Sequence, residues 1–203
     1  MNVLPHLGFS LYIGLLLVYL AINIAEGADD TVLANRIKSG DHHAFKQFFD
    51  RYHSSLLTYL SRRGLDPEAA EDIVQNAYIF IWERRSEIDT SKSLRAFLFR
   101  IGYTRALNHF RDTAKFDGEA DLTMHESAAS TSDSTELNLA NAHLSKAIQT
   151  LPEKRRAVFE LCFLEDLTYR EAAETLGISI KTVENQMAHA LKTIRAAMQP
   201  LRQ

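Results

Sequence analysis

Residues 167–195, LTYREAAETLGISIKTVENQMAHALKTIR, read as two short helices joined by a tight turn. Thr168 is placed to cap the first helix, and Glu171 three residues later completes a capping box, in which each side chain satisfies the other residue's backbone N–H. Ala172, Ala173 and Leu176 give that helix a small apolar face. Gly177 is the expected left-handed residue that ends it, and Ser179 is placed to cap the second helix. Along the second helix Val183, Met187, Ala190, Leu191 and Ile194 recur at three- and four-residue spacing, one stripe predicted to be buried. The opposite face carries Lys181, Thr182, Glu184, Asn185, Ala188, His189 and Lys192. Short polar and basic side chains on the N-terminal half of a second helix suit the reading of a DNA major groove. The plainer alternative is a helical hairpin inside a bundle.

The chain has 203 residues, enough for one domain or two small ones, and its 46% hydrophobic content supports real cores. A net charge of −3 does not by itself announce a nucleic-acid binder. Local charge is more telling. Residues 31–112 hold 13 Lys/Arg against 10 Asp/Glu, residues 113–150 hold 2 against 6, and residues 151–203 hold 8 against 7. Two mildly basic pieces thus flank an acidic one. Phosphate contacts dominate non-specific DNA binding, so such modules are expected to hold free DNA weakly and to need a larger partner.

The single cysteine, Cys162, sits in the apolar run Val158–Leu164 and reads as a buried core thiol. It leaves no disulfide framework within the chain. The eight histidines are scattered, and the adjacent pair His42–His43 cannot face one metal from a single helix. There is no Gly-rich phosphate loop, nucleophile elbow or paired-carboxylate pattern with a supporting base. Glu68, Glu71 and Asp72 open a helix, where acids favour the dipole. The expectation is a binding protein with no catalytic residue, no metal site and no cofactor.

The pattern elsewhere is helical, with no convincing strand alternation. A short helix covers about 31–38 and ends near Gly40. Asp41 caps the next, striped by Phe45, Phe48, Phe49, Tyr52, Leu56, Leu57 and Leu60 and ending at Gly64. Asp66–Pro67 starts a third, with the cap followed by proline in the first turn. Its apolar positions are Ala70, Ile73, Val74, Ala77, Phe80 and Ile81, with Trp82 near the end. A polar loop over Ser86–Lys92 leads to a fourth helix from Ser93 to Arg111, in which Phe97, Phe99 and Phe110 are read as core. Residues 113–135 are poor in apolar side chains and read as a linker. Helices are expected again over Glu136–Thr150 and Glu153–Leu164, before the two-helix unit. The fold class is therefore all-α: two small helical domains, 31–112 and 136–200, joined by a flexible acidic linker, the second carrying a helix-turn-helix.

Residues 1–27 stand apart. Val3–Ala25 contains no Lys, Arg, Asp or Glu, and 7–25 is almost wholly apolar, close to the length of about 20 residues that spans a bilayer. It lacks a basic n-region and so makes a poor signal peptide. Two readings are open. Translation starts at Val32 or Leu33 and the segment is never made, or residues 7–25 anchor the chain to a membrane with the remainder on the cytoplasmic side.

Two helical modules, an acidic linker and a C-terminal helix-turn-helix together resemble an extracytoplasmic-function sigma factor of the sigma-70 family. Three stretches carry the resemblance: AEDIVQNAYIFIWERR (70–85) is similar to the region 2.2 helix, SLRAFLFRIGYTRALNHFRD (93–112) to regions 2.3 and 2.4, and residues 151–195 to region 4. The ending TVENQMAHALKTIR is similar to the iron-citrate-type group, whose anti-sigma partners resemble membrane FecR-like regulators.

The resemblance implies core RNA polymerase, promoter DNA and an anti-sigma factor as partners, with a cytoplasmic site of action. It implies that Asp72, Gln75, Asn76 and Ile79 face the polymerase clamp; the family usually has an acid where Asn76 stands. Lys92, Arg95 and Arg100 would hold phosphates of the −10 element, with Tyr103, Asn108 and Arg111 on the same helix toward promoter DNA. Tyr103-Thr104 replaces the commoner Arg-Asn. The second helix of the helix-turn-helix would enter the major groove at the −35 element through Lys181, Thr182, Glu184, Asn185, Ala188, His189 and Lys192, with Thr168 and Arg170 on nearby phosphates. A stand-alone helix-turn-helix regulator, with residues 31–112 sensory or dimerising, is the competing reading; polymerase binding separates the two.

Overall fold

Asp41 and Asp66 each begin a helix by the same device, a carboxylate accepting the N–H groups that the first turn cannot satisfy internally. Asp41 Oδ1 accepts from His43 N at 2.8 Å and Ala44 N at 3.1 Å, and Asp66 Oδ1 accepts from Ala69 N at 2.9 Å. The Ala44 N–H bond, with Arg36 beside it, holds the Asp41 carboxyl below its usual range. The computed structural model describes residues 30–116 and 136–198. In chain order the helices are α1 (30–38), α2 (His42–Arg62), α3 (Pro67–Glu83), α4 (Leu94–Phe116), α5 (Glu136–Gln149), α6 (Glu153–Phe159), α7 (Tyr169–Leu176) and α8 (Ile180–Met198). No strand occurs among the described residues. The apolar segment 1–27 and residues 117–135 of the linker lie outside them. No helix of the described residues is long and apolar enough to cross a membrane.

The N-terminal module packs α2, α3 and α4 against one another. Phe48, Leu56, Tyr59 and Leu60 of α2 meet Val74, Ala77 and Ile81 of α3 and Leu98 and Phe99 of α4, all but inaccessible. Helices α2 and α4 approach closely at Gly102, where a Cβ would stand 2.8 Å from Leu56 Cδ1. The C-terminal module packs α5, α6 and α7 on α8. Its core is Val158, Phe159, Leu161, Ala172, Val183, Met187 and Ala190. The two modules also touch, α7 lying against α4, and the buried apolar residues form one continuous cluster.

Two details differ from the sequence expectation. Helix α4 continues past Arg111 to Phe116, because Ala114 and Lys115 are good helix formers and no breaker precedes Gly118. The stretch expected as one helix to Leu164 changes to a π-helical turn at Glu160–Leu164, with Glu165 N donating to Glu160 O at 3.0 Å and Leu167 N to Leu161 O at 2.9 Å. The wider turn keeps Glu160 and Leu161 buried and turns Phe163 outward, 57% exposed. Asp166 then closes the turn with φ +52°, the only positive-φ residue other than glycine among those described.

The capping box at α7 forms as expected. Thr168 Oγ1 accepts from Glu171 N at 3.2 Å, and Glu171 Oε2 accepts from Thr168 N at 2.9 Å. Gly177 ends α7 at φ +66°. Thr168→Ala is expected to cost about 1 kcal/mol of stability, seen as a lower urea midpoint at unchanged slope, with Thr168→Ser close to wild type. An unchanged midpoint in the alanine variant would show that the box does not contribute.

Candidate nucleic-acid interface

Helix α8 is held by its buried stripe, Val183, Met187, Ala190 and Ile194, against α5, α6 and α7. The steps of four, three and four residues keep these positions on one side of a 3.6-residue helix. Ser179 caps it, accepting from Thr182 N at 3.0 Å. The opposite side presents Lys181, Glu184, Asn185, Ala188, His189 and Lys192 exposed, with Thr182 half-buried beneath the cap. All seven predicted residues therefore share one outward face. Lys181 and Glu184 pair across it at 2.9 Å, but both are exposed, and such pairs add little and exchange readily for a ligand. Leu191, expected in the buried stripe, is 42% exposed. One residue past Ala190 it is turned roughly 100° away from the core. It joins Ala188, Lys192, Arg195 and Ala196 around a shallow depression and so extends the outward face.

Beside this helix, Thr168 and Arg170 are exposed at the start of α7. Arg155 donates to Gln186 Oε1 at 3.4 Å, joining α6 to α8, and Arg156 pairs with Glu153 at 2.9 Å. Both arginines thus have partners within the fold. Cys162 is half-buried, and burial pushes its thiol up to about 12, which leaves almost no thiolate at neutral pH.

Asp72, Gln75, Asn76 and Ile79 also share a face. Their spacing of three, one and three residues lines one side of α3, and all four are exposed, while Ile73, Val74, Ala77, Tyr78 and Ile81 fill the other side. Asn76 Nδ2 is tied to Asp72 O at 2.8 Å, and Gln75 Nε2 to Glu71 Oε1 at 3.4 Å. Ile79 stands 53% exposed beside this polar row. An isoleucine so placed offers burial to an incoming surface.

The six residues expected at the −10 element divide. Lys92 and Arg100 line one cavity of about 330 Å³ with Phe80, Arg84, Asp89 and Phe97. The Phe80 and Phe97 rings lie 6.3 Å apart, and the Arg84 guanidinium sits 4.9 Å from the Phe80 centroid. Phe97, read as core, is instead 38% exposed on this wall, Phe99 is fully buried, and Phe110 is partly buried against the core. Asp89 shapes the loop at the cavity's edge. Hydrogen bonds from Ser91 Oγ at 2.6 Å and Ser91 N at 3.1 Å, helped by Lys92, hold its carboxyl below the usual range. Asn108 and Arg111 are exposed further along α4. Arg95 lies roughly 140° around the helix from Arg100. Its guanidinium donates to the carbonyls of Glu165 and Asp166 and lies 5.3 Å from the Tyr52 centroid. Tyr103 is half-buried, 5.6 Å from the Arg63 guanidinium.

Sequence reasoning missed Phe80 and Arg84 as cavity walls and Leu191 on the outward face of α8. The signal for Phe80 was weak, since its position fits the apolar stripe of α3. Among the described residues no group of three or more His, Cys, Asp or Glu is arranged to hold a metal ion.

Comparison with known proteins agrees with this geometry. Residues 48–116 match the family model described as Sigma-70 region 2, and residues 143–194 match Sigma-70, region 4. The chain is similar to the RNA polymerase sigma factor NccH of Alcaligenes xylosoxydans xylosoxydans, 30% identical over 84% of this chain and 95% of that one. It is also similar to the ECF RNA polymerase sigma factor RpoE of Cereibacter sphaeroides, 28% identical over 78% of this chain and 88% of that one. Among solved structures, CnrH in complex with the cytosolic domain of CnrY aligns at a TM-score of 0.62, with 26% identity over 85% of this chain and 98% of that one.

Proposed function

The chain belongs to the extracytoplasmic-function group of the sigma-70 family and directs transcription initiation, and we propose that it does so through three separate faces. The Asp72, Gln75, Asn76 and Ile79 row of α3 binds core RNA polymerase. The cavity between Phe80, Phe97, Lys92 and Arg100 receives a base turned out of the −10 element, with Arg95, Tyr103, Asn108 and Arg111 along the strand. The outward face of α8, Lys181 to Lys192, reads the −35 element. Residues 31–112 form the first of these working units, 136–200 the second, and 113–135 the tether.

The observation that carries this reading is the exposed α8 face set on a capped, glycine-turned helix pair. Asn185 offers the paired donor and acceptor that adenine's major-groove edge matches, and Glu184 can accept from cytosine. Extruding a base costs a few kcal/mol, offset by aromatic contact and by cations on the phosphates. Neither module needs to bind tightly alone. A tether, with polymerase positioning both, turns the second contact into an intramolecular one. The likeness to CnrH, which was solved with the cytosolic domain of CnrY, supports a regulatory protein partner, an anti-sigma factor, and a cytoplasmic site of action.

Run-off transcription with core RNA polymerase on genomic promoter fragments tests the proposal. Discrete transcripts that require this chain are expected. DNA binding by the chain alone, with no association with polymerase, would favour the stand-alone regulator.

A further inference from the structure

Glu87, Ile88, Asp89 and Lys92, all from the loop between α3 and α4, line the −10 cavity. The regular structure of this loop is a short 3-10 turn, Arg85–Glu87. Ile88 then joins the core and is 7% exposed. Its carbonyl needs a hydrogen-bond partner, as buried backbone groups do, and finds one outside the loop. Lys38 Nζ donates to Ile88 O at 2.8 Å, across 50 residues of chain.

Lys38 is the last residue of α1, and α1 is well seated. Leu33, Ala34 and Ile37 are buried in the core. Arg36 and Asp41 pair at 2.8 Å across the turn that follows. Gly40 in that turn has φ +89°, and a Cβ there would stand 3.7 Å from Arg85 Nε. The α1–α2 turn and the loop therefore meet at two points. At the second, Arg85 donates to Trp82 O at 2.8 Å, and its guanidinium lies 4.5 Å from the Trp82 ring. His42, in the first turn of α2, packs on the same indole at 4.3 Å. Arg85 thus fixes the start of the loop and Lys38 its middle.

We infer that Lys38 is a positioning residue for base selection at the −10 element: bonded to the Ile88 carbonyl, it sets where Asp89 and Lys92 stand in the cavity, a role that rests on the reading of that cavity as the receiver of a base. Asp89 follows Ile88 directly. A turn bond from Lys92 N to Asp89 O at 3.1 Å carries the same constraint to Lys92. A carboxylate accepts from the amino group of a base, and an ammonium donates to its ring nitrogen or carbonyl. Either group discriminates only at hydrogen-bond distance. Water could replace the exposed Lys38 at the carbonyl and satisfy it, but would not tie it to α1. A loop loosened by about 1 Å keeps its charges and still attracts phosphates, while its choice among bases fades.

The test uses the full chain bound to core RNA polymerase, with run-off transcription on promoters carrying each base in turn at each −10 position. Wild type is expected to prefer one base at the position the cavity receives. Phe97→Ala, which removes a cavity wall, is expected to erase that preference. Lys38→Met keeps the side chain's length without its donors and should reduce the preference roughly tenfold, the order of one hydrogen bond to a charged group. Polymerase affinity and the slope of promoter binding against salt should stay near wild type, and Lys38→Arg should restore the preference. Arg85→Met, which frees the start of the loop, should lower the same preference with Lys38 intact. An unchanged preference in Lys38→Met, with Phe97→Ala still erasing it, would overturn the positioning role and leave the cavity reading standing. No effect of Phe97→Ala would remove the cavity reading and the positioning role with it. A loss spread evenly over all four bases, with a salt slope shallower by about one, would make Lys38 a phosphate contact instead.

Discussion

Asn185→Ala is expected to cut transcription from promoters whose −35 element presents adenine to this side chain, leaving promoters without it nearly unchanged. Asn185 is exposed on the outward side of α8, where its carboxamide can meet a base. One good bidentate contact contributes about 1–3 kcal/mol of discrimination, or roughly 5- to 150-fold in occupancy. The loss should fall on promoter choice alone, since the α3 row belongs to the other module and polymerase affinity should not move. A panel of −35 variants transcribed by wild-type and variant protein, with co-purification of polymerase in parallel, separates the two effects. Equal loss of transcription and polymerase binding would remove α8 from the role of reader.

Ile79→Glu is expected to weaken binding to core RNA polymerase by roughly a hundredfold. Burying an isoleucine stabilises a contact by about 1.5–3 kcal/mol, and a glutamate at the same place adds the cost of desolvating an unpaired charge. The residue is half exposed in the free chain and lies outside the buried side of α3, so the substitution should leave helical circular dichroism and thermal midpoint close to wild type. Ile79→Leu should retain binding. Titration of labelled chain with core polymerase gives the affinity directly. Unchanged affinity in the glutamate variant would place the contact elsewhere on the molecule.

The parts of the fold legible in the sequence are those governed by neighbours a few residues apart. Asp41, Asp66, Thr168 and Ser179 cap because the N–H groups they satisfy lie two or three residues on. Gly177 ends α7 for an equally local reason. The α3 and α8 faces follow from helical period, which is why their residues fall together as expected.

What was not legible depends on distant partners. Glu160 looks like an intruder in an apolar run, and its meaning becomes visible only with Arg63, 97 residues earlier in the chain. Arg95 and Arg100 look equivalent in sequence, yet one is held by the C-terminal module while the other lines the cavity. Phe97 and Phe99 are both apolar positions of α4, and only packing against α2 and α3 decides which is core. Leu191 fits the sequence stripe yet falls one position beyond the core side of α8.

Nuclease footprinting of the polymerase complex on one promoter found by run-off transcription tests the central claim most directly. Two protected segments are expected, at the −35 and −10 elements, that appear only when this chain and core polymerase are present together. Asn185→Ala should weaken protection at the −35 element selectively. The same footprint from the chain without polymerase, or −35 protection indifferent to Asn185, would contradict it.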